Sequence, residues 1–187
     1  MCIRDRSIND VGFPAAKVLE GIDAARAAGL SVKVNTVVKR GMNEGEVLPL
    51  CEHFRNTGIV LRFIEYMDAG TANGWRMDEV VPSSELVQRI SAKWPLKPVD
   101  ACYRGEVASR WAYADGAGEV GFISSVTQAF CRDCTRARLS VEGGLFLCLF
   151  ADRGYDIRTM LRGGATDEEI LEAVARIWTL SLIHISE

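Results

Sequence analysis

Three cysteines and three arginines lie close together near the C-terminal end of the chain. The cysteines have the spacing C-x2-C-x13-C and are Cys131, Cys134 and Cys148. The arginines among them are Arg132, Arg136 and Arg138. An iron–sulfur cluster usually takes four cysteines, so three thiolates indicate a cluster in which one iron stays open. Beside concentrated positive charge, this pattern predicts a site for an anionic substrate.

Two other interpretations of the cysteines remain open at this point. A structural zinc site usually closes with four Cys or His ligands, and Cys102 could supply a fourth thiolate. His53 lies far upstream on a predicted helix, and we interpret it as a solvated surface side chain. Alternatively, the three cysteines are unrelated core residues, although C-x2-C is uncommon by chance.

Two of the arginines have a spacing that suits phosphate binding. Arg136 and Arg138 are two residues apart, so they project from one face of a strand that we expect to begin just after Cys134. Guanidinium groups bind phosphate oxygens bidentately, and two together suit a polyphosphate. The alternative is an exposed strand face with solvated arginines. The glycines form neither a Walker A motif nor a dinucleotide fingerprint, so side chains would have to hold a triphosphate.

Polar residues also interrupt two predicted strands upstream. Lys33 and Asn35 share one strand face, because side chains alternate with period 2. They mark either a solvated strand end or a face turned toward a ligand at the centre of a barrel. Arg62, in an otherwise apolar run, either pairs with a carboxylate such as Glu65 or meets an anionic ligand.

In the first half of the chain, apolar residues follow helix-like and strand-like patterns in turn. Helix, strand, helix and strand in succession predict parallel strands with crossover helices, hence part of an α/β sheet or barrel. The pattern comprises a helix through Val18, Leu19, Ile22 and Ala25 that ends at Gly29, a strand over 32–38, a capping box of Asn43 and Glu46 before a helix through Val47, Leu50, Cys51 and Phe54, and a strand over 60–66.

The second half of the chain changes character. Residues 67–81 read as a long functional loop, broken by Gly70, Asn73 and Gly74. Ser83 is expected to cap a helix that ends near Lys93. Short strands with glycine turns follow over 107–149, with a hairpin turn at 142–144. A capping box of Thr166 and Glu169 precedes a final helix through Ile170, Leu171, Val174 and Ile177.

Composition indicates a globular protein and excludes several classes. The 187 residues are 48% hydrophobic and 25% charged, with a net charge of −3 that argues against a general nucleic-acid surface. No apolar run approaches the roughly 20 residues that span a membrane, and the start has no secretory h-region. Six cysteines without an export signal are better read as reduced thiols than as a disulfide framework, which predicts a cytoplasmic protein.

The two ends of the chain are set aside. Residues 1–7 and 180–187 have neither the caps nor the periodicity of the interior, and they resemble translated sequencing-adapter strings. Excluding them removes Cys2 and His184 as candidate ligands. We expect the natural protein to be longer at both ends.

Several runs resemble one enzyme family. FCRDCTRARL at 130–139, followed by Cys148-Leu149-Phe150, resembles the C-terminal cluster motif of the GTP 3′,8-cyclases, the radical S-adenosylmethionine enzymes called molybdenum cofactor biosynthesis protein A. VKVNTVVKRGMN at 32–43, RFIEYMDAG at 62–70 and NGW at 73–75 are similar to that family too. The resemblance covers roughly residues 8–179.

The resemblance implies a role for each matching residue. It assigns a second [4Fe–4S] cluster to Cys131, Cys134 and Cys148, with its open iron facing the guanine. It assigns GTP binding to Lys33, Arg136, Ala137 and Arg138. Met67 would contact S-adenosylmethionine, and Arg62 would line the same cavity.

The resemblance also implies a fold and a reaction. The fold is an incomplete (β/α)6 barrel, of which residues 8–81 supply the last βα units, followed by a mostly antiparallel β extension with helices at 82–179. In the reaction, S-adenosylmethionine is cleaved reductively to a 5′-deoxyadenosyl radical, which abstracts the ribose 3′ hydrogen of GTP before C3′ attacks C8. The product is 3′,8-cyclo-7,8-dihydro-GTP. Implied partners are an electron donor, the cyclic pyranopterin monophosphate synthase that acts on the product, and a second copy in a homodimer.

The chain departs from the family pattern in three features. The N-terminal C-x3-C-x2-C motif of the radical-generating cluster, the first barrel strands and the C-terminal double glycine are absent from these 187 residues. We therefore expect a C-terminal fragment that is inactive alone. The alternatives are an auxiliary-cluster domain of another radical enzyme and a non-catalytic zinc-binding module.

Overall fold

A computed structural model describes residues 14–67 and 74–181, without the side chain of Arg132. Cys2, Gly70, Asn73 and His184 lie outside the described residues. Within them, the chain forms two compact units, one of residues 14–67 with 75–129 and the other of residue 74 with 130–181.

The first unit is built on a mixed five-stranded sheet with strand order β1-β2-β5-β4-β3. Its strands are β1 (Lys33–Val38), β2 (Val60–Glu65), β3 (Leu96–Val99), β4 (Ser109–Tyr113) and β5 (Glu119–Ile123). β1, β2 and β5 run parallel, whereas β3 and β4 are antiparallel additions at the other edge. The predicted parallel pairing of the first two strands is confirmed.

Three helices accompany these strands. α1 (Ala15–Ala27) precedes β1, α2 (Val47–Phe54) lies between β1 and β2, and α3 (Ser83–Lys93) lies between β2 and β3. α1 ends where the periodicity predicts, because Gly29 takes a left-handed conformation with φ of 78° just beyond it. The residues of α2 and α3 that are fully buried include Cys51, Phe54, Leu86 and Ile90.

The two faces of the sheet differ sharply in polarity. Leu61 and Phe63 of β2 and Val120 and Phe122 of β5 are at most 1% exposed, and they form one core cluster with the buried residues of α2 and α3. The strand registers place the polar residues on the opposite face, namely Lys33, Asn35, Arg62, Lys97, Arg110 and Glu119. The predicted common face of Lys33 and Asn35 is confirmed.

The second unit contains a small antiparallel sheet and two helices. The sheet has the order β6-β7-β8, with β6 (Arg138–Leu139), β7 (Gly144–Phe146) and β8 (Tyr155–Asp156). The predicted hairpin turn at 142–144 is confirmed, with Gly143 at φ of 82°. The helices are α4 (Ile157–Arg162) and α5 (Asp167–Trp178), and both hydrogen bonds of the Thr166–Glu169 capping box are present.

Two predicted helix caps are wrong. The Asn43 side chain accepts from Lys39 N–H and donates to Val37 O, both across 2.8 Å, so it closes the turn after β1 and does not cap the helix. Ser83 is the first residue of α3, and its hydroxyl donates to the Glu65 carboxylate across 3.1 Å. In both cases a partner outside the helix takes the side chain.

The first compact unit extends to Ala129, whereas the sequence predicted a domain boundary between residues 81 and 82. The physical reason is strand pairing, since β5 pairs with β2 and draws β3 and β4 into the same sheet. The assignment of 8–81 to a partial barrel and of 82–179 to a cluster-binding extension remains a prediction.

Candidate cluster and nucleotide site

The first two cysteines are joined by a single tight turn. Cys131–Asp133 form a 3-10 turn in which Cys134 N–H donates to Cys131 O across 3.3 Å. Cys131 is exposed and Cys134 half-buried. The turn is local, as the C-x2-C spacing predicts, and it leaves both thiols near the surface of the second unit.

The third cysteine follows the β6–β7 hairpin. In this hairpin Arg138 pairs with Phe146, so Cys148 comes two residues after the partner of Arg138. Its sulfur accepts a hydrogen bond from Phe150 N–H at 3.4 Å. A hairpin therefore delivers Cys148 and presents Arg138 on the neighbouring strand.

Arg136 lies directly against one of the cysteine sulfurs. Its Nε and Nη2 are each 3.4 Å from Cys134 Sγ, and its guanidinium lies 5.1 Å from the centre of the Phe130 ring. Partial burial by itself raises the pKa of Cys134, but hydrogen bonds from Arg136 and the charges of Arg136 and Arg138 outweigh it and lower the pKa. The thiolate, which is the form that ligates metals, is therefore favoured.

The strand prediction for the two arginines needs a correction. β6 begins at Arg138, not just after Cys134, so Arg136 precedes the strand. Its guanidinium is held by Cys134 and Phe130, which breaks the strand pattern at this position. Arg136 is exposed and Arg138 half-buried.

The chemistry of the donor set fits an iron–sulfur cluster. Cys131, Cys134 and Cys148 are all free thiols, and N–H donors already lie on the last two sulfurs. Such N–H to sulfur bonds are among the interactions that tune iron–sulfur clusters. Among residues 14–67 and 74–181, no three Cys, His, Asp or Glu side chains are grouped so as to hold one metal ion. The assignment of the three cysteines stays a prediction.

In the first unit, the exposed polar face of the sheet carries the other predicted ligand residues. Lys33 and Asn35 are exposed on β1, and Asn35 pairs with Arg62 of β2. This face has the polarity required for a ligand, whereas the opposite face is core.

Arg62 pairs with Glu106, and the carboxylate suggested from the sequence, Glu65, is not its partner. Arg62 Nη2 lies 3.3 Å from Glu106 Oε1, and the side chains are only 15% and 3% exposed. Glu65 lies three residues from Arg62 along β2, so it points into the core on the opposite face. The sequence gives no sign of Glu106, because it lies 44 positions away in a loop.

Met67 follows β2 at a strand end that several contacts hold in place. The preceding residue, Tyr66, accepts a hydrogen bond on its carbonyl from Trp75 Nε1 at 2.9 Å. The Lys39 ammonium lies 4.5 Å from the centre of the Tyr66 ring and 3.0 Å from Glu79. Met67 itself is half-buried. These contacts fix the backbone that presents Met67. Lys39, Tyr66 and Trp75 each lie in one of the runs that resemble the family, whereas Glu79 lies in none of them.

A separate cleft in the second unit contains none of the predicted site residues. Its volume is about 260 Å³, and it lies between the β6–β7 turn and α4. The cleft is lined by Leu139, Ser140, Val141, Glu142, Gly143, Ile157, Arg158, Leu161 and Arg162.

Comparison with known proteins identifies the family. Residues 59–181 match the family described as Molybdenum Cofactor Synthesis C. The chain belongs to this family. The matched stretch includes the cysteines, both arginines of the hairpin segment, Arg62 and Met67, while Lys33 lies before it. It also includes Leu180 and Ser181, the first two residues of the end segment that was set aside.

Three curated relatives of this chain carry the name GTP 3′,8-cyclase. The protein of Acidothermus cellulolyticus is 50% identical over 183 residues, covering 95% of this chain and 51% of the relative. That of Xanthomonas axonopodis pv. citri is 59% identical over 150 residues, covering 80% and 45%. That of Staphylococcus epidermidis is 39% identical over 176 residues, covering 94% and 52%. The chain spans about half the length of these relatives.

These findings confirm the resemblance drawn from the motifs, and they do not favour a zinc-binding module or another class of radical enzyme. The described part of the chain contains no helix that is long and apolar enough to cross a membrane.

Proposed function

We propose that this chain supplies the GTP-binding and second-cluster part of a GTP 3′,8-cyclase, in molybdenum cofactor biosynthesis. The observation that carries the proposal is the contact of Arg136 with Cys134 Sγ, because it joins a phosphate-binding cation to a cysteine of the cluster motif. Family membership and the shared name of the relatives support it. The free thiols of the described cysteines agree with a cytoplasmic protein.

The proposed roles follow the residues already described. Cys131, Cys134 and Cys148 hold a [4Fe–4S] cluster, which when bound supplies an open iron for an electron-pair donor of the guanine. Arg136, the Ala137 backbone and Arg138 bind GTP, and Lys33 contributes a further cation from the exposed sheet face. Met67 contacts S-adenosylmethionine. Arg62 lines the same cavity as Met67 and donates hydrogen bonds there.

The remaining parts of the enzyme are proposed from the family resemblance. The parallel set β1, β2 and β5 supports a partial (β/α)6 barrel. The complete enzyme binds S-adenosylmethionine and the first cluster, receives electrons from a donor and forms a homodimer. Its product passes to the cyclic pyranopterin monophosphate synthase. These 187 residues contain no C-x3-C-x2-C motif, so we propose that they do not form the radical alone.

GTP affinity of the anaerobically reconstituted chain tests the nucleotide proposal. We expect Arg138→Ala to weaken GTP binding by about tenfold or more, since a charge-assisted hydrogen bond contributes roughly 1.5–3 kcal/mol. Arg153→Ala, another exposed arginine of the second unit, is the matched control and should bind as the wild type does. Equal affinity of the Arg138→Ala variant and the wild type contradicts the proposal.

Product analysis tests the claim that the chain is inactive alone. The reconstituted chain, supplied with S-adenosylmethionine and a strong reductant, should form no 5′-deoxyadenosine above the protein-free background. Stoichiometric 5′-deoxyadenosine would refute that claim.

A further inference from the structure

Among the described side chains, Arg62 is the one predicted ligand residue whose guanidinium pairs with a nearly buried carboxylate. Glu106 Oε1 accepts from Arg62 Nη2 across 3.3 Å, and the Glu106 side chain is 3% exposed. Two opposite charges at this separation, shielded from water, cancel much of each other's field. Arg62 therefore contributes little net positive charge to the exposed face of the sheet.

The position of Glu106 is fixed independently of Arg62. Its second oxygen accepts from Cys102 N–H across 2.8 Å, which ties the carboxylate to its own loop. A carboxylate held from both sides keeps its place when a ligand approaches, so it can act as a fixed counter-charge.

Gly121, the neighbour of Arg62 on β5, leaves room for the stem of Arg62. Gly121 pairs with Arg62 and is buried, and a Cβ built on Gly121 would lie 3.0 Å from Arg62 Cγ. The absence of a side chain there lets the Arg62 stem lie flat against β5. The guanidinium has Glu106 on one of its nitrogens, and further N–H donors remain.

We propose that Glu106 neutralises and positions Arg62, so that Arg62 serves as a hydrogen-bond donor to an uncharged acceptor, such as a ribose hydroxyl. Phosphate charge is then recognised by other cations, such as the exposed Lys33. This inference rests on the proposed nucleotide function, and it assigns to Glu106 a positioning role that decides which part of the ligand Arg62 can recognise.

Binding of inorganic tripolyphosphate to the full chain tests this inference, with Glu106→Gln, Arg62→Gln and the double variant. Glu106→Gln keeps an acceptor for Cys102 N–H while it removes the counter-charge. We expect it to bind tripolyphosphate about three- to tenfold more tightly than the wild type, because Arg62 becomes a free cation. Arg62→Gln should weaken binding, since it leaves Glu106 unpaired. The double variant should return to wild-type affinity.

A matched control separates this effect from a general change in charge. Glu119→Gln removes a carboxylate from the Arg110 pair on the same face, with the same change in net charge. We expect it to raise tripolyphosphate affinity less than Glu106→Gln does. Equal gains in the two variants contradict the inference.

Three further outcomes would overturn the inference. The first is a Glu106→Gln variant that binds tripolyphosphate no more tightly than the wild type, and the second is a double variant that binds it as weakly as Arg62→Gln does. The third is a double variant whose loss in unfolding free energy equals the sum of the losses in the two single variants. If Glu106→Gln alone fails to fold, the double variant decides, because it retains no unpaired charge. Absence of GTP binding in the wild type would instead refute the proposed function, and the variant series would still decide the role of Glu106.

Discussion

The Thr127 hydroxyl donates to Glu65 Oε1 across 2.6 Å, and the Thr127 backbone N–H donates to Glu65 Oε2 across 2.8 Å. Three more donors complete the set: Ser83 N–H, the Ser83 hydroxyl and Val126 N–H. Glu65 is 1% exposed, and all five of these donors are uncharged. One buried carboxylate thus joins the end of β2 to the start of α3 and to the segment after β5.

Replacing Glu65 with glutamine should destabilise the protein although the shapes match. The amide nitrogen cannot accept a hydrogen bond, so it would face Val126 N–H and Thr127 N–H or displace the donors of the other oxygen. We expect Glu65→Gln to lower the free energy of unfolding by about 2–4 kcal/mol, measured by urea denaturation. Glu85→Gln, which breaks a more exposed pair with Arg40, should cost at most about 1 kcal/mol. Equal costs in the two variants contradict this account.

The contribution of Glu65 should depend on pH with a defined sign. Burial alone raises the pKa of Glu65, but hydrogen bonds from Thr127, Ser83 and Val126 outweigh it and lower the pKa below its ordinary value of 4.5. A depressed carboxyl pKa contributes stability above the unfolded pKa, and that stability is lost as pH falls through the folded pKa.

Urea denaturation between pH 7 and pH 3 measures this dependence. The difference in unfolding free energy between the wild type and Glu65→Gln should be constant at neutral pH. It should shrink below about pH 4.5, because glutamine does not titrate. A difference that grows as the pH falls would show that the folded pKa is raised.

The hairpin that carries Cys148 should depend on Gly143 more than on another glycine of the same conformation. Gly143 and Gly164 have φ of 82° and 83°, but a Cβ on Gly143 would lie 2.5 Å from Arg158 Cβ, whereas Gly164 has open space. In both variants alanine must adopt the left-handed conformation, which destabilises the protein by roughly 1–2 kcal/mol. Gly143→Ala should cost about 1–3 kcal/mol more, measured by thermal unfolding. Equal melting temperatures of the two variants would contradict this assignment.

Lys33 should matter for GTP binding more than another exposed lysine on the same sheet face. Lys33 on β1 and Lys97 on β3 are both exposed at opposite edges of that face. We expect Lys33→Met to weaken GTP binding roughly tenfold, as expected for a lost charge-assisted contact, and to reduce its salt dependence. Lys97→Met should leave the affinity unchanged. Equal losses in both variants would point to general electrostatic attraction.

Local patterns allowed much of the fold to be predicted. Period-2 alternation gave the common face of Lys33 and Asn35, and a three-residue spacing gave the Thr166–Glu169 capping box, because both depend only on near neighbours. Ser83 was misassigned as a cap for the opposite reason, since its hydroxyl partner Glu65 lies 18 positions away on β2. Asn43 was misassigned although its partners are near in sequence, because Val37 and Lys39 precede the helix and draw its side chain into the turn after β1.

The long-range pairs could not be predicted from the sequence. Glu106 reaches Arg62 across 44 positions and Thr127 reaches Glu65 across 62. Both contacts depend on the pairing of strands that are far apart in the chain, β5 with β2 and β4 with β5. The antiparallel addition of β3 and β4 to that same sheet was likewise invisible to periodicity. The C-x2-C-x13-C spacing was informative because the turn and the hairpin that carry it are both local.

Iron and acid-labile sulfide per chain, measured after anaerobic reconstitution, test most directly whether the three cysteines hold a [4Fe–4S] cluster. The wild type and Cys102→Ala should each bind about four iron and four sulfide, with broad visible absorbance. Cys134→Ala and Cys148→Ala should lose most of both. Stoichiometric zinc without iron, or loss of iron in Cys102→Ala with retention in Cys148→Ala, would contradict the account.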